Sequence, residues 1–357
     1  MRKSNLTAIA AALLCAFAAF DAFGETAREA GNPAEPVRNG SENGSAPETG
    51  KKGLVRLDIE NGFERYNFFT QYRIGGMTVT RTAAGLAAGY QNFPVSQLRF
   101  PLDVFTAYAN LDLAIAGRIT FHYRVRKNIT ENAGKMKDSD WVPFPNLRTI
   151  YSESGTRLNA VITDADIFIR IFTASFFTLK AGAGYSHEYF FYRCSNVYQK
   201  SIFDSANPPY YIGDFRAVWI PGTVITYEVQ YHMFTLSLLP VFNIMGAAEI
   251  IPGIRISPYL KARDIDDHKL RAKRSVGETV GWAIMPALSV RYLFSTRIFL
   301  TFRMEFLYLT AQGKQNQSYY LPVSEGNFIP GWSARLDTEL ESRQLSLSLG
   351  AGYSFEF

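Results

Sequence analysis

The sequence predicts an all-β chain, a ten-stranded antiparallel transmembrane β-barrel of the bacterial outer membrane. Three observations lead there. The carboxy-terminal run alternates: Leu345, Leu347, Leu349, Ala351, Tyr353, Phe355 and Phe357 share one phase, and Ser346, Ser348, Gly350, Gly352, Ser354 and Glu356 the other. Side chains of an extended strand point to opposite faces in turn, so this run offers one greasy face to lipid and one small or polar face to a wet lumen. Its aromatic last residue resembles the assembly signal of outer-membrane barrels. Second, aromatics form 15% of the chain while the mean hydropathy is only -0.07, which suits aromatic girdles around a charged interior. Third, no apolar run beyond the amino-terminus reaches the roughly 18 residues of a membrane helix. A soluble secreted β-sandwich is the bland alternative.

The amino-terminus gives the same address. Met1-Arg2-Lys3 is a basic n-region, Leu6 to Phe20 is apolar, and Ala22-Phe23-Gly24 supplies small residues for cleavage before Glu25. Residues 1–24 are therefore expected to be a signal peptide. Lipidation at Cys15 is the rival, disfavoured by Leu14 just before it. After such cleavage Cys194 would be the single cysteine, leaving no internal disulfide. Residues 25–53 are rich in Glu, Gly, Asn, Ser and Pro and cannot bury a core, so a flexible periplasmic lead-in is expected before a barrel spanning 54–357. The net charge of +5 is modest and gives no reason to expect a nucleic-acid partner.

Periodicity places strands at 66–82, 97–109, 117–137, 157–173, 177–196, 214–230, 233–264, 275–293, 296–311 and 339–357. Ile119, Phe121 and Tyr123 alternate with Thr120, His122 and Arg124, and Phe302, Met304 and Phe306 face away from Arg303 and Glu305. Short turns are read near Asn110–Ala116, Ala174–Thr178, Gln230–His232 and Phe294–Thr296, with longer polar loops between the other pairs. That alternation, and an even strand number, fit periplasmic turns opposite extracellular loops. Segment 233–264 is too long for one plain strand and holds Pro240, Pro252 and Pro258, so a bulge or an insertion is expected within it.

Two acidic clusters carry the chemistry. Asp138-Ser139-Asp140-Trp141 ends the third strand, and Asp264-Ile265-Asp266-Asp267-His268 ends the seventh. Both odd strands end on the extracellular rim. In extended chain Asp138 and Asp140 share a face, as do Asp264, Asp266 and His268. If those faces are the lumen, a carboxylate couple looks across a groove at a carboxylate–histidine pair. Asp266 would orient His268, which takes a proton from water as general base. Two close carboxylates resist double ionisation, so one of Asp138 and Asp140 should keep a proton and hydrogen-bond a substrate carbonyl. No serine or cysteine nucleophile and no cofactor are needed.

At this point the chain resembles the omptins, the outer-membrane aspartate–histidine endopeptidases of Gram-negative bacteria. Their Asp-x-Asp-Trp motif is similar to Asp138-Ser139-Asp140-Trp141, and their Asp-x-His dyad falls on Asp266 and His268. Val95-Ser96-Gln97-Leu98, Leu111-Asp112-Leu113 and Ala183-Gly184-Tyr185 also match, in order, over roughly residues 70 to 357. The resemblance implies hydrolysis of peptides or proteins, with Asp138, Asp140, Asp266 and His268 catalytic. It further implies a substrate-pocket acid at Asp264. The family's second pocket acid falls on Ala83 by counting back from Val95, which argues against a strict preference for basic residues. The family also needs lipopolysaccharide, held partly through a basic residue in strand five. Here Tyr185-Ser186-His187-Glu188-Tyr189 offers Tyr185 but no arginine, which argues against dependence on that lipid. The chain is expected to act as a monomer in contact with outer-membrane lipid, its loops facing the exterior.

Plainer roles compete at each position. Asp138 and Asp140 read alone are loop carboxylates, and calcium would want further acidic ligands nearby. Asp266, Asp267 and His268 sit among Lys261, Arg263, Lys269, Arg271, Lys273 and Arg274, as in an ordinary charged rim. His122, His187 and His232 show no metal-ligand spacing. Cys194 reads as packing, and Gly182 with Gly184 as room for crowded inward side chains. A non-catalytic adhesin or receptor, or a small porin, is the alternative to a peptidase.

Overall fold

The computed structural model describes residues 55–82, 85–142, 146–203, 211–320 and 333–357; the expected leader, the lead-in and Ala83 lie outside them. Twelve strands form one antiparallel sheet: β1 (Val55–Thr82), β2 (Gly85–Pro101), β3 (Val104–Ile115), β4 (Ile119–Asn128), β5 (Asn132–Asp140), β6 (Ile150–Thr173), β7 (Phe177–Phe203), β8 (Tyr211–Ile244), β9 (Ala248–His268), β10 (Lys273–Leu293), β11 (Ile298–Tyr319) and β12 (Ser333–Glu356). β12 pairs with β1 from Arg56↔Glu356 to Arg81↔Ser333, so the sheet closes and has no free edge.

The twelve segments make ten staves. β1 pairs with β3 along its first half and with β2 along its second, and β4 and β5 lie beyond them against β6. Each broken stave is interrupted briefly, at Pro101-Leu102-Asp103 and at Ile129-Thr130-Glu131. Proline supplies no ladder donor, and the carbonyl of Phe105 accepts from both Ile129 and Thr130 where the second break falls.

Three expectations need correction: the turn read near Asn110–Ala116 is strand as far as Ile115, and the reversal is Ile115–Arg118. The first strand begins at Val55, not 66. Gln230–His232 is no turn: β8 runs through it, with Tyr231 inward and fully buried, and ends at Ile244. The reversal is Ile244-Met245-Gly246-Ala247, where Met245 and Gly246 have φ of 51° and 71° and Ala247 N–H donates to the Ile244 carbonyl at 3.0 Å. That is the positive-φ hairpin turn whose twist matches its strands. The long 233–264 segment thus splits between two staves without an insertion, and the expected bulge is found as a register shift between Phe234 and Leu236.

Outward positions carry an apolar belt that includes Phe121, Tyr123, Ile167, Ile169, Phe234, Leu236, Ile254, Ile256, Trp282, Phe302 and Leu349. On β9 the belt stops at Tyr259, and the next outward residues are Lys261, Arg263, Ile265 and Asp267; on β5 they are Lys135 and Lys137. The far ends of these strands therefore stand clear of the lipid. Among the described residues no helix is long and apolar enough to cross a membrane. The crossing falls to strands.

The lumen is layered, and β6 shows the layers in order. Its inward residues run Ser152, Ser154, Thr156, then Leu158, Ala160, Ile162, then Asp164 and Asp166. The middle tier holds Tyr72, Phe100, Tyr192 and Tyr227, whose rings pack together; Phe100 and Tyr227 stack 4.3 Å apart at 8°. Below it Arg255 Nη1 donates at 3.3 Å to both Asp164 and Asp166, and Arg126 pairs with Asp164. A Cβ on Gly184 would lie 1.9 Å from Asp166 Oδ1, so this glycine is the room that the buried acid occupies.

Candidate active site

Above the aromatic tier the two acidic clusters face one cleft. Strand register sets the first wall. Tyr72 pairs with Leu98 and Leu98 with Asp138, so three adjacent strands present these side chains to the lumen in one row. Asp140 sits one step higher, opposite Ser96. The second wall is β9, whose alternation turns Asp264, Asp266 and His268 inward while Arg263, Ile265 and Asp267 point outward. Asp138, Asp140 and His268 line a single cavity of about 540 Å³, together with Tyr72, Arg271 and Lys273.

His268 Nε2 lies 2.8 Å from Asp266 Oδ2. The Tyr72 hydroxyl donates to that same oxygen from across the lumen. With Nε2 engaged by the carboxylate, Nδ1 is the nitrogen left to accept a proton. Burial pulls the His268 pKa below its ordinary value, and Asp266 only partly restores it. Burial pushes Asp266 up, but His268, Lys273 and the Tyr72 hydroxyl outweigh it and hold the carboxyl below the usual range. An ionised acid beside a neutral imidazole is the arrangement of an oriented base. Opposite, burial and then Asp140 hold the Asp138 carboxyl well above the usual range. A proton retained there makes Asp138 a donor.

Asp264 departs from the expected pattern. It is fully buried below Asp266 and is not among the residues lining the cleft. Opposite it stands Gly277, where a Cβ would fall 2.1 Å from Asp264 Oδ1, so the missing side chain makes its niche. Burial, then Asp266, push its carboxyl up to about 7. A direct contact with substrate, as a pocket acid would make, does not follow from this position. Cys194 is buried one stave beyond Ile225, and burial pushes its thiol up to about 12, which leaves it inert.

Tyr72, Arg271 and Lys273 are the site residues that the sequence did not single out. Tyr72 belongs to no motif, and its partner Asp266 is 194 positions away. Arg271 and Lys273 look like rim cations until the hairpin is seen to turn them inward. Among the described residues no group of three or more His, Cys, Asp or Glu side chains could hold a metal ion.

A family model described as the Omptin family matches residues 88–355. No curated protein matches the sequence. Among solved structures, the outer membrane protease OmpT from Escherichia coli superimposes with a TM-score of 0.66 at 15% identity, over 87% of this chain and 100% of that one. The outer membrane protein OprG from Pseudomonas aeruginosa (8% identity, 86% of this chain and 98% of that one) gives only 0.35. The translocator domain of the autotransporter NalP from Neisseria meningitidis (10% identity, 86% and 90%) gives 0.33. At such identities the first likeness speaks for the fold alone.

Proposed function

Because this chain belongs to the omptin family, we propose that it is an outer-membrane endopeptidase whose cleft opens to the exterior and hydrolyses peptide bonds with activated water. The observation that carries the reading is His268, held by Asp266, facing Asp138 and Asp140 in one cleft. His268 takes a proton from water as the oxygen attacks the carbonyl carbon. Protonated Asp138 hydrogen-bonds the carbonyl oxygen while Asp140 holds the water from the same wall. The tetrahedral intermediate collapses as the proton passes from His268 to the leaving amine nitrogen, giving an acid and an amine. Tyr72 is a positioning residue that fixes Asp266. Asp264 acts from beneath through its field on Asp266. Peptides or proteins are the substrates, and the protein works as a monomer among outer-membrane lipids, with no cofactor.

The apolar tier below the cleft speaks against the small-porin alternative. The test is a fluorogenic peptide assay on refolded protein, with His268→Ala as control. A rate lost in the variant supports the peptidase. Equal rates for both would leave a non-catalytic adhesin or receptor.

A further inference from the structure

From the walls of the cleft we infer its selectivity: Lys273 and Arg271 form a carboxylate-recognition pair, so the favoured substrate is a peptide carrying a carboxylate close to the scissile bond. This inference rests on the peptidase reading above and names its substrate class.

The connection between β9 and β10 is minimal. Lys269–Arg271 is a single 3-10 turn, and Ala272 takes a left-handed conformation (φ 45°) to re-enter the sheet. Lys273 then pairs directly with His268. Of the hairpin's basic residues Lys269 turns to the outer face, while Arg271, on the exposed turn, and half-buried Lys273 line the cleft beside the dyad.

Neighbouring charges are paired in direct contact, whereas Lys273 faces Asp266 only at longer range and Arg271 lacks a contact partner. Lys269 and the Tyr320 hydroxyl both engage Asp267 on the outer face. Among the described residues the side chains of Arg271 and Lys273 form no hydrogen bond and no ion pair within 4.0 Å, although the Lys273 backbone pairs in the ladder. Lys273 is moreover withdrawn enough from solvent that burial lowers its pKa, which Asp266 only partly restores, so a ligand anion would relieve its charge further.

The acids complete the case. Among the described residues the carboxylates lining this cleft are Asp138 and Asp140, both assigned to water and carbonyl. With Asp138 protonated, the lining carries Lys273 and Arg271 against Asp140, while ionised Asp266 lies behind His268 and acts on Lys273 through its field. A basic substrate side chain finds no uncommitted partner, and Asp264 is out of its reach. A carboxylate finds two. A cavity of about 540 Å³ has room for the residues that flank the cut.

The carboxylate could belong to an Asp or Glu side chain or to a peptide's free carboxy-terminus, and the test separates them. Labelled peptides with blocked ends carry Glu, Gln or Lys beside one cleavable bond; a fourth carries Gln and a free terminal carboxylate. Binding is measured to full-length folded His268→Ala protein, which would not turn peptide over, and cleavage to the unaltered protein. The Glu peptide, or the free-acid peptide, is expected to bind about tenfold more tightly than the Lys peptide. Lys273→Glu should reverse that order, and Arg271→Glu, on the exposed turn, should weaken it if the first variant fails to fold. Preference for the Lys peptide, an order unmoved by these variants, or binding of no peptide at millimolar concentration would overturn the inference. Failure of cleavage with the binding order intact would overturn the peptidase reading alone.

Discussion

The hydroxyl of Tyr72, on the first stave, donates to Asp266, on the seventh, and so ties together the two walls that carry the acidic clusters. Asp266 receives this bond on the oxygen nearest His268 Nε2, which makes the aspartate the hub of the site. Tyr72 keeps its proton, since burial and then Asp266 hold its pKa well above the ordinary value.

Tyr72→Phe should therefore leave the barrel intact and weaken the dyad. A hydrogen bond to a charged group contributes about 1.5–3 kcal/mol, so kcat/KM should fall roughly 10- to 100-fold. Peptide kinetics on folded variant would check it. An unchanged value would remove Tyr72 from the mechanism.

On the proposed mechanism the pH dependence should have two limbs. His268 must be neutral to act, and its pKa lies below the ordinary 6.5, so activity falls on the acid side beneath that value. Asp138 must be protonated, and its pKa is raised above the ordinary 3.8, so activity falls again as pH climbs past it. Asp138→Asn should abolish the alkaline limb and leave the acid limb in place. A kcat/KM profile shared by both proteins would sink the assignment.

Asp264 makes a prediction about stability. Its folded pKa of about 7 lies above the ordinary 3.8, so the folded state is penalised as pH rises from 3.8 and the penalty is complete above 7. Asp264→Asn should raise the unfolding midpoint at pH 8, by a stability on the order of a few kcal/mol, and change it little at pH 4. Denaturant titrations at the two pH values would check the sign.

The aromatic tier is expected to carry stability and to seal the lumen. Phe100, fully buried between Tyr192 and Tyr227, should cost about 3–5 kcal/mol when replaced by alanine. Guanidinium unfolding of Phe100→Ala measures the loss. Planar bilayers with the unaltered protein should show no steady current.

Much of this was legible in the sequence because strand alternation is a local code. The outward phase of the last strand is visible in the structure, where Leu347, Leu349 and Phe355 are exposed and Ser346, Ser348 and Ser354 buried. Asp266 and His268 were legible for the same reason, being two residues apart on one inward face. What was missed depends on the ring. Gln230 and His232 looked like a turn because they are polar, yet they face outward around a buried Tyr231 just beyond the belt. Tyr72 and Lys273 acquire meaning from neighbours that periodicity cannot supply: one through a contact across the lumen, the other through the length of a hairpin.

The seam between β1 and β12 joins the two extremities of the barrel sequence, so the ring exists only once the final residues have docked. Tyr72 lies beside that seam. A nascent chain awaiting insertion already owns every reactive group, yet lacks the enclosure that would bring them face to face. On the peptidase reading, such a chain would stay inert until the ring closes around it.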